Sequence, residues 1–408
     1  MDFGHRSAFA TRVMQALLAL TMASLAFSAT TVSALGLGDV RMVVFLGLFA
    51  CLGVGAVMLA PRFTARDRIG PLVALWLLVI VAVLSETVVL GRSASLVDYK
   101  IALPILALLV APNLRAAMGG IDLTRFALAA GGCYVLLTAG LAVALPSLAV
   151  LRNVAGHVRV DITGSVVLHA ALCTIIALAL AAALPRVPTI GARIGMALLL
   201  GAACWMVMLT GTRSPLLTIL FFVVLWAATG RLGDLARPRL LGAALVAVSA
   251  FLLMSFLASD AIWSRLADLG QDHYSSGRWP SIHHWLATAA GQPFGLGIGA
   301  VRTTLEGGRP VIAGGNLLEW PHNEFVRFFV EAGALGLMLV LVVVGEALRR
   351  ARRRALVTAD PVERALVLAI AADMLVQCLL QNYFNSVYHA TVMLLLLGML
   401  AAEDAPAD

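Results

Sequence analysis

Stretches of about twenty residues without a charge recur along this chain, and each can cross the roughly 30 Å hydrocarbon core of a bilayer as a helix. GSVVLHAALCTIIALALAAAL at 164–184 is one of them. Inside hydrocarbon every backbone N–H and C=O must find its partner within the protein, which leaves only helices and closed barrels. A barrel needs apolar and polar residues in alternation, and none is visible. Of the 408 residues 61% are hydrophobic and 12% charged, with a mean hydropathy of +0.96, which excludes a soluble domain of this size. The expected architecture is all-α: a single integral membrane domain over 1–408 with about twelve transmembrane helices. The spans are expected near 13–33, 41–60, 70–90, 99–118, 124–146, 164–184, 193–210, 213–229, 239–258, 322–345, 363–381 and 386–402. Pro112, Asn113 and Arg115 interrupt the end of the fourth. The first is read as a retained helix, since no cleavage site follows it.

The net charge of +7 would suggest nucleic acid in a soluble protein. Here the arginines crowd short connections: Arg62, Arg66 and Arg68; Arg186 and Arg193; Arg231, Arg237 and Arg239; and the run RRARRR at 349–354. With the N-terminus inside, all of these fall inside, so the positive-inside rule gives both termini inside and no nucleic-acid partner. RRARRR is expected to anchor that topology, with anionic lipid as a weaker partner. Cys51, Cys133, Cys173, Cys204 and Cys378 lie in apolar stretches without metal spacing, and read as packing residues.

One connection is long. Residues 259–321, between spans nine and ten, fall outside, and a loop of that length usually carries function. Its amphipathic middle, 278–291, is expected to be a short helix on the membrane face. A second outside loop, 147–163, brings Arg152, His157, Arg159 and Asp161.

Even-numbered spans then begin outside. Ser214-Pro215 and Trp320-Pro321 read as helix starts with proline in the first turn. A helix start presents free N–H groups and the positive end of its dipole, a natural place for an anion. Arg213 and His322 sit at two such starts, Arg159 just ahead of a third, and Arg278 in the long loop. Arginine holds phosphate oxygens bidentately; a membrane-edge arginine also simply snorkels to lipid headgroups. His322 near these cations stays neutral and able to take a proton, or else serves as a hydrogen-bonded cap. Within span ten, Asn323 and Arg327 share a face, and Arg327 and Glu331, four apart, are expected to pair. Gly333 and Gly336 are expected to permit close helix packing. Glu86, His169, Asp373 and Gln377 are expected to satisfy one another or an arginine. His273, His283 and His284 lack the spacing of a metal site, and no metal or cofactor is expected.

Three motifs carry a resemblance: GTRSPLL at 211–217, GRWPSIHHWLATAAGQPFGLGIGA at 277–300 and HNEFVRFFVEAGALG at 322–336. Together they resemble the O-antigen ligase and polymerase superfamily, over about 160–345. The resemblance implies a glycan donor on undecaprenyl pyrophosphate at the periplasmic face of the bacterial inner membrane. Arg213 and Arg278 would hold the pyrophosphate, with Arg159 as a secondary contact. His322 would take the proton of an acceptor hydroxyl on lipid A-core or on another glycan. Asn323, Arg327 and Glu331 would support the site. The transfer would invert the anomeric centre without a metal. One long outer loop and one medium one favour a ligase of lipopolysaccharide biosynthesis. A polymerase of O-antigen or exopolysaccharide remains the alternative, and a secondary transporter, which would show repeated halves, is the reading from outside the enzymes.

Overall fold

The computed structural model describes residues 8–23, 40–59, 65–90, 96–118, 132–144, 151–154, 157–160, 166–210, 212, 214–229, 278–312 and 317–402. The helices are α1 (Ala8–Ala23), α2 (Val40–Leu59), α3 (Ala65–Leu84), α4 (Ala102–Met118), α5 (Gly132–Ala144), α6 (Val166–Ala183) and α7 (Ile190–Thr210). They continue with α8 (Ser214–Thr229), α9 (Arg278–Ala289), α10 (Ala300–Glu306), α11 (Glu324–Val357), α12 (Pro361–Leu380) and α13 (Val387–Ala401). A π-helical turn, Ser85–Leu90, extends α3. The protein is helical, as expected; one hairpin is added, β1 (Leu151–Val154) paired antiparallel with β2 (His157–Val160), with Arg152 opposite Arg159. Among the described residues, four helices are long and apolar enough to cross a membrane by length and composition, including α6, α7 and α11. The span expected at 239–258 lies outside the described residues.

Between helices in lipid the hydrophobic effect offers little, so packing depends on small residues that let backbones approach. The chain supplies them. Ala170, Ala171, Ala177, Ala179 and Ala181 are buried on α6, and Ala365, Ala369, Ala371 and Ala372 on α12. Helix α12 packs against α6, α8 and α11, and α13 against α4. A side chain on Gly398 of α13 would stand 2.6 Å from the Ala111 methyl of α4. Large apolar residues face outward on α3 and α7, such as Trp76, Val79 and Val83, or Ile190, Ile194 and Leu198. Cys173, Cys204 and Cys378 are buried as expected, whereas Cys51 is exposed.

Two expectations about the polar end of the bundle are corrected. Helix α4 runs unbroken through Pro112 to Met118. Proline lacks the N–H that would bond the carbonyl four residues back, and Arg350 replaces it, donating Nη1 to the Leu108 oxygen at 3.0 Å. The run RRARRR is not a connection either, because α11 continues through it to Val357. Arg350 is buried and bonds Glu346 at 2.6 Å. Arg353 donates to the Ala401 carbonyl at 3.1 Å, and Arg115 to those of Met399 and Leu400 at 3.1 and 3.0 Å. The last carbonyls of α13 have no partner in their own helix, so these cations cap it and meet the negative end of its dipole.

Glu86, His169, Asp373 and Gln377 each find a polar partner, and two of those partners are tyrosines that the sequence did not point to. Tyr134 and His169 are 2.7 Å apart, Tyr99 donates to Glu86 at 2.7 Å, and Asp373 joins Gln377 at 3.2 Å and His389 at 3.1 Å.

Candidate functional site

At the opposite end, the starts of α6, α11 and α13 meet the end of α12 around a cavity of about 180 Å³. Its wall is Val167 and Leu168 of α6, Trp320 and His322 ahead of α11, and Gln377, Gln381, Asn382, Tyr383, Asn385 and Ser386 between α12 and α13.

His322 stands at the mouth in a backbone conformation that non-glycine residues rarely adopt, with φ of 48°. Such a residue costs on the order of 1 kcal/mol and persists only where its surroundings fix it. Both flanks are fixed. On the C-terminal side Asn323 is the N-cap of α11: its side chain accepts from the Val326 N–H at 3.0 Å and donates to the Leu379 carbonyl at 3.1 Å. On the N-terminal side the backbone of Glu319 is held by α9. Its N–H donates to Ser281 Oγ, and its carbonyl accepts from the indole of Trp285, both at 2.9 Å. The helix start expected at Trp320-Pro321 is therefore corrected to Asn323, which leaves His322 ahead of the first turn.

His322 Nδ1 is buried and has no hydrogen-bond partner. Nε2 lies 4.0 Å from the Glu319 carboxylate. Burial, and then the charges of Arg278 and Arg309, push its pKa down to about 4 against the opposing effect of the Gln381 side chain. Imidazole held neutral beside two cations has a free lone pair at neutral pH.

Arg278 opens α9, as the amphipathic pattern predicts. It shares a helical face with Ser281 and Trp285, the two residues that grip Glu319. It is exposed, and its charge acts on both Glu319 and His322. Arg309, which the sequence reading passes over, belongs to the same cationic side.

Beneath the cavity, Glu324 is fully buried. It accepts from the Phe384 N–H at 2.6 Å and from Arg327 Nε at 2.7 Å, and Arg327 Nη1 donates to Asn385 Oδ1 at 2.6 Å. The expected pairing of Arg327 with Glu331 is thus corrected: Arg327 pairs with Glu324, because the turn 383–385 offers a hydrogen-bond partner to both charges. Glu331, also buried, takes the Val301 N–H at the start of α10.

The glycine motifs explain how the long connection seats on α11. The helix kinks at Ala332 and Gly333, where Gly333 has φ 60° and ψ −148°. The kink leaves the carbonyls of Val330 and Glu331 to accept from the N–H groups of Leu296 and Gly297 at 2.8 and 2.9 Å. A side chain on Gly333 would stand 2.1 Å from the Pro293 oxygen, and one on Gly295 2.6 Å from the Ala332 nitrogen. Arg302 of α10 grips Asp98 through two bonds of 2.8 and 2.9 Å. The segment that carries Arg278 and Arg309 is tied down at several points.

Arg213 lies outside the described residues. Helix α8 begins beside it at Ser214-Pro215, as expected, and Ser214 Oγ and Thr218 Oγ1, one turn apart, are buried without partners. Trp226, near the far end of α8, sits 5.7 Å from the Arg364 guanidinium near the start of α12. The two helices therefore run antiparallel, and the Ser214 end lies at the cavity end of α12. Arg159 is on β2, ahead of the helix whose Val167 and Leu168 wall the cavity. Among the described residues, Arg278 and His322 are the predicted pair brought together. The amides of QCLLQNYFNS at 377–386 were legible as an unusually polar junction between spans, but nothing in the sequence placed them opposite His322.

Fold and site together define a polytopic helical membrane protein with a cation-flanked histidine over a polar cavity at one end of its bundle. A family model described as O-antigen ligase matches residues 196–341, and so supports the resemblance to the O-antigen ligase and polymerase superfamily. The matched stretch runs from α7 into α11 and contains Arg213, Arg278, Arg309 and His322. It supports a membrane enzyme of the glycosyl-transferase type. No curated protein matches the chain.

Proposed function

We propose that this protein transfers a glycan from undecaprenyl pyrophosphate to an acceptor hydroxyl at the periplasmic face of the bacterial inner membrane, as an O-antigen ligase acting on lipid A-core. The observation that carries this reading is His322: its buried Nδ1 has no partner, its ring is neutral, and cations stand beside it. Nδ1 takes the acceptor proton as the acceptor oxygen bonds to the anomeric carbon. The bond from that carbon to the pyrophosphate oxygen breaks, and its electron pair leaves with the pyrophosphate. Arg278 and Arg213 bind that anion and stabilise the charge that grows on it, with Arg159 as an outer contact. Attack and departure on opposite faces invert the centre, and arginines in place of a divalent cation make the reaction metal-independent. The alternative is a polymerase that extends a second lipid-linked chain; the single long outer connection favours the ligase.

Deletion of the gene tests the reading. Lipid A-core without polymer, with lipid-linked polymer accumulating, is the expected result. Core carrying one repeat unit identifies an O-antigen polymerase, and intact lipopolysaccharide with lost secreted polymer an exopolysaccharide polymerase. His322→Ala in the restored gene should abolish transfer while the protein still inserts; full activity would remove the base from the mechanism.

A further inference from the structure

His322 lines the cavity and also feels the charges of Arg278 and Arg309. The described lining of the cavity itself holds no lysine, arginine, aspartate or glutamate. It carries amides and hydroxyls instead. Besides His322 Nδ1, three lining groups have a buried atom without a protein partner: Gln377 Oε1, Asn382 Oδ1 and the Tyr383 hydroxyl. Gln377 and Tyr383 are each only 1% exposed. Unmet buried polar atoms are costly, about 1–3 kcal/mol each, and several on residues around one cavity mark a place where a polar ligand completes them.

The ligand's chemistry follows from the donors. Phosphate oxygens only accept, and without a cation a desolvated anion would be strongly disfavoured here. Amides both donate and accept, as sugar hydroxyls do. Trp320 adds an aromatic wall, suited to the C–H face of a sugar ring. The space equals that of about six water molecules, the scale of one pyranose.

We infer that this cavity is the subsite for one neutral sugar residue of the acceptor, read by Gln377, Asn382 and Tyr383, while the donor pyrophosphate is held by the arginines. The inference rests on the glycan-transfer reading and adds to it where the acceptor sits and how its charge is discriminated.

Asn382 is the residue to test, because its side chain makes no capping bond at the start of the turn 383–385 and is half-buried. Asn382→Cys in the full-length protein is labelled with a maleimide, against wild type, whose exposed Cys51 sets the background. Methyl glycosides of neutral hexoses and N-acetylhexosamines are the probes, with inorganic pyrophosphate as the contrast. At least one glycoside should slow labelling several-fold, and pyrophosphate should not. Slowing by pyrophosphate, or by none of the probes, overturns the subsite. In the transfer assay Asn382→Ala should raise the acceptor KM about tenfold, the loss of one such hydrogen bond, with the donor KM unchanged. A raised donor KM, or no change in either, overturns it as well. If the wild-type protein transfers no glycan, the enzymatic reading fails by itself, and the labelling result still decides whether the cavity takes a neutral sugar.

Discussion

The indole N–H of Trp285 donates to the backbone carbonyl of Glu319 at 2.9 Å, and so fixes α9 to the segment that delivers His322. Arg278, seven residues before Trp285 on the same helical face, is placed by that bond. Trp285→Phe keeps the apolar packing and removes the donor. It should cost about 1 kcal/mol of stability but lower kcat at least tenfold, since small displacements of a positioned cation weaken its hold on developing charge. Turnover and thermal unfolding measured on the same preparation check this; equal loss of both would mean that the bond is structural only.

Gly333 and Gly345 lie on the same helix and should respond oppositely to alanine. At Gly333 the new methyl would meet the Pro293 oxygen at 2.1 Å, and the backbone occupies a region nearly reserved for glycine. The cost should exceed about 3 kcal/mol. At Gly345 nothing lies within 4 Å, and alanine should be neutral or slightly stabilising in a helix. Denaturation of the two variants in detergent decides between them.

The acid limb of activity should report His322. With its pKa lowered to about 4 by burial and by Arg278 and Arg309, the neutral base persists through mild acid. The kcat/KM should be flat below neutrality and fall about tenfold per pH unit only beneath roughly pH 4. Arg278→Ala removes one downward influence, so the limb moves to higher pH, toward the ordinary 6.5. The sign for stability is the same: the unfolded chain binds this proton more readily, so the folded state loses stability as pH falls from 6.5 to about 4 and no further below. An acid limb that Arg278→Ala leaves unmoved would separate the two residues.

Arg350 and Arg352 sit two positions apart in one basic run, yet only Arg350 is buried, bonded to Glu346 and to the carbonyl that Pro112 leaves free. Arg350→Ala should cost about 1–3 kcal/mol by leaving the Leu108 carbonyl without its donor, while Arg349 still holds Glu346, whereas the exposed Arg352→Ala should stay within about 0.5 kcal/mol. Unfolding midpoints, or abundance in the membrane, distinguish them.

The helices were legible because hydrocarbon permits little else: a long uncharged stretch such as 164–184 has one solution. The helix start at Ser214-Pro215 was also announced by its proline, whereas Gly333, expected to let helices pack closely, instead marks a kink that receives the backbone of Leu296 and Gly297. What stayed hidden depends on which helices touch. Arg327 lies three residues from Glu324 and four from Glu331, and spacing alone suits either partner. The turn 383–385, remote in sequence, decides between them. The amides at 377–386 likewise gain meaning only when α12 ends opposite His322. RRARRR misled for a related reason, because a helix shows no sequence mark where it leaves the bilayer and continues.

In the proposed topology, the arginines that close the last carbonyls of α13 are also part of the inside charge that would orient the nascent chain. Arg115 and Arg353 would then each have both duties. Insertion and assembly would be coupled through the same side chains. A copy threaded the wrong way round would carry these cations to the opposite surface with α13 unfinished, its carbonyls bare in a medium that offers no water. Faulty orientation would show itself as a packing defect, visible to whatever removes misassembled chains.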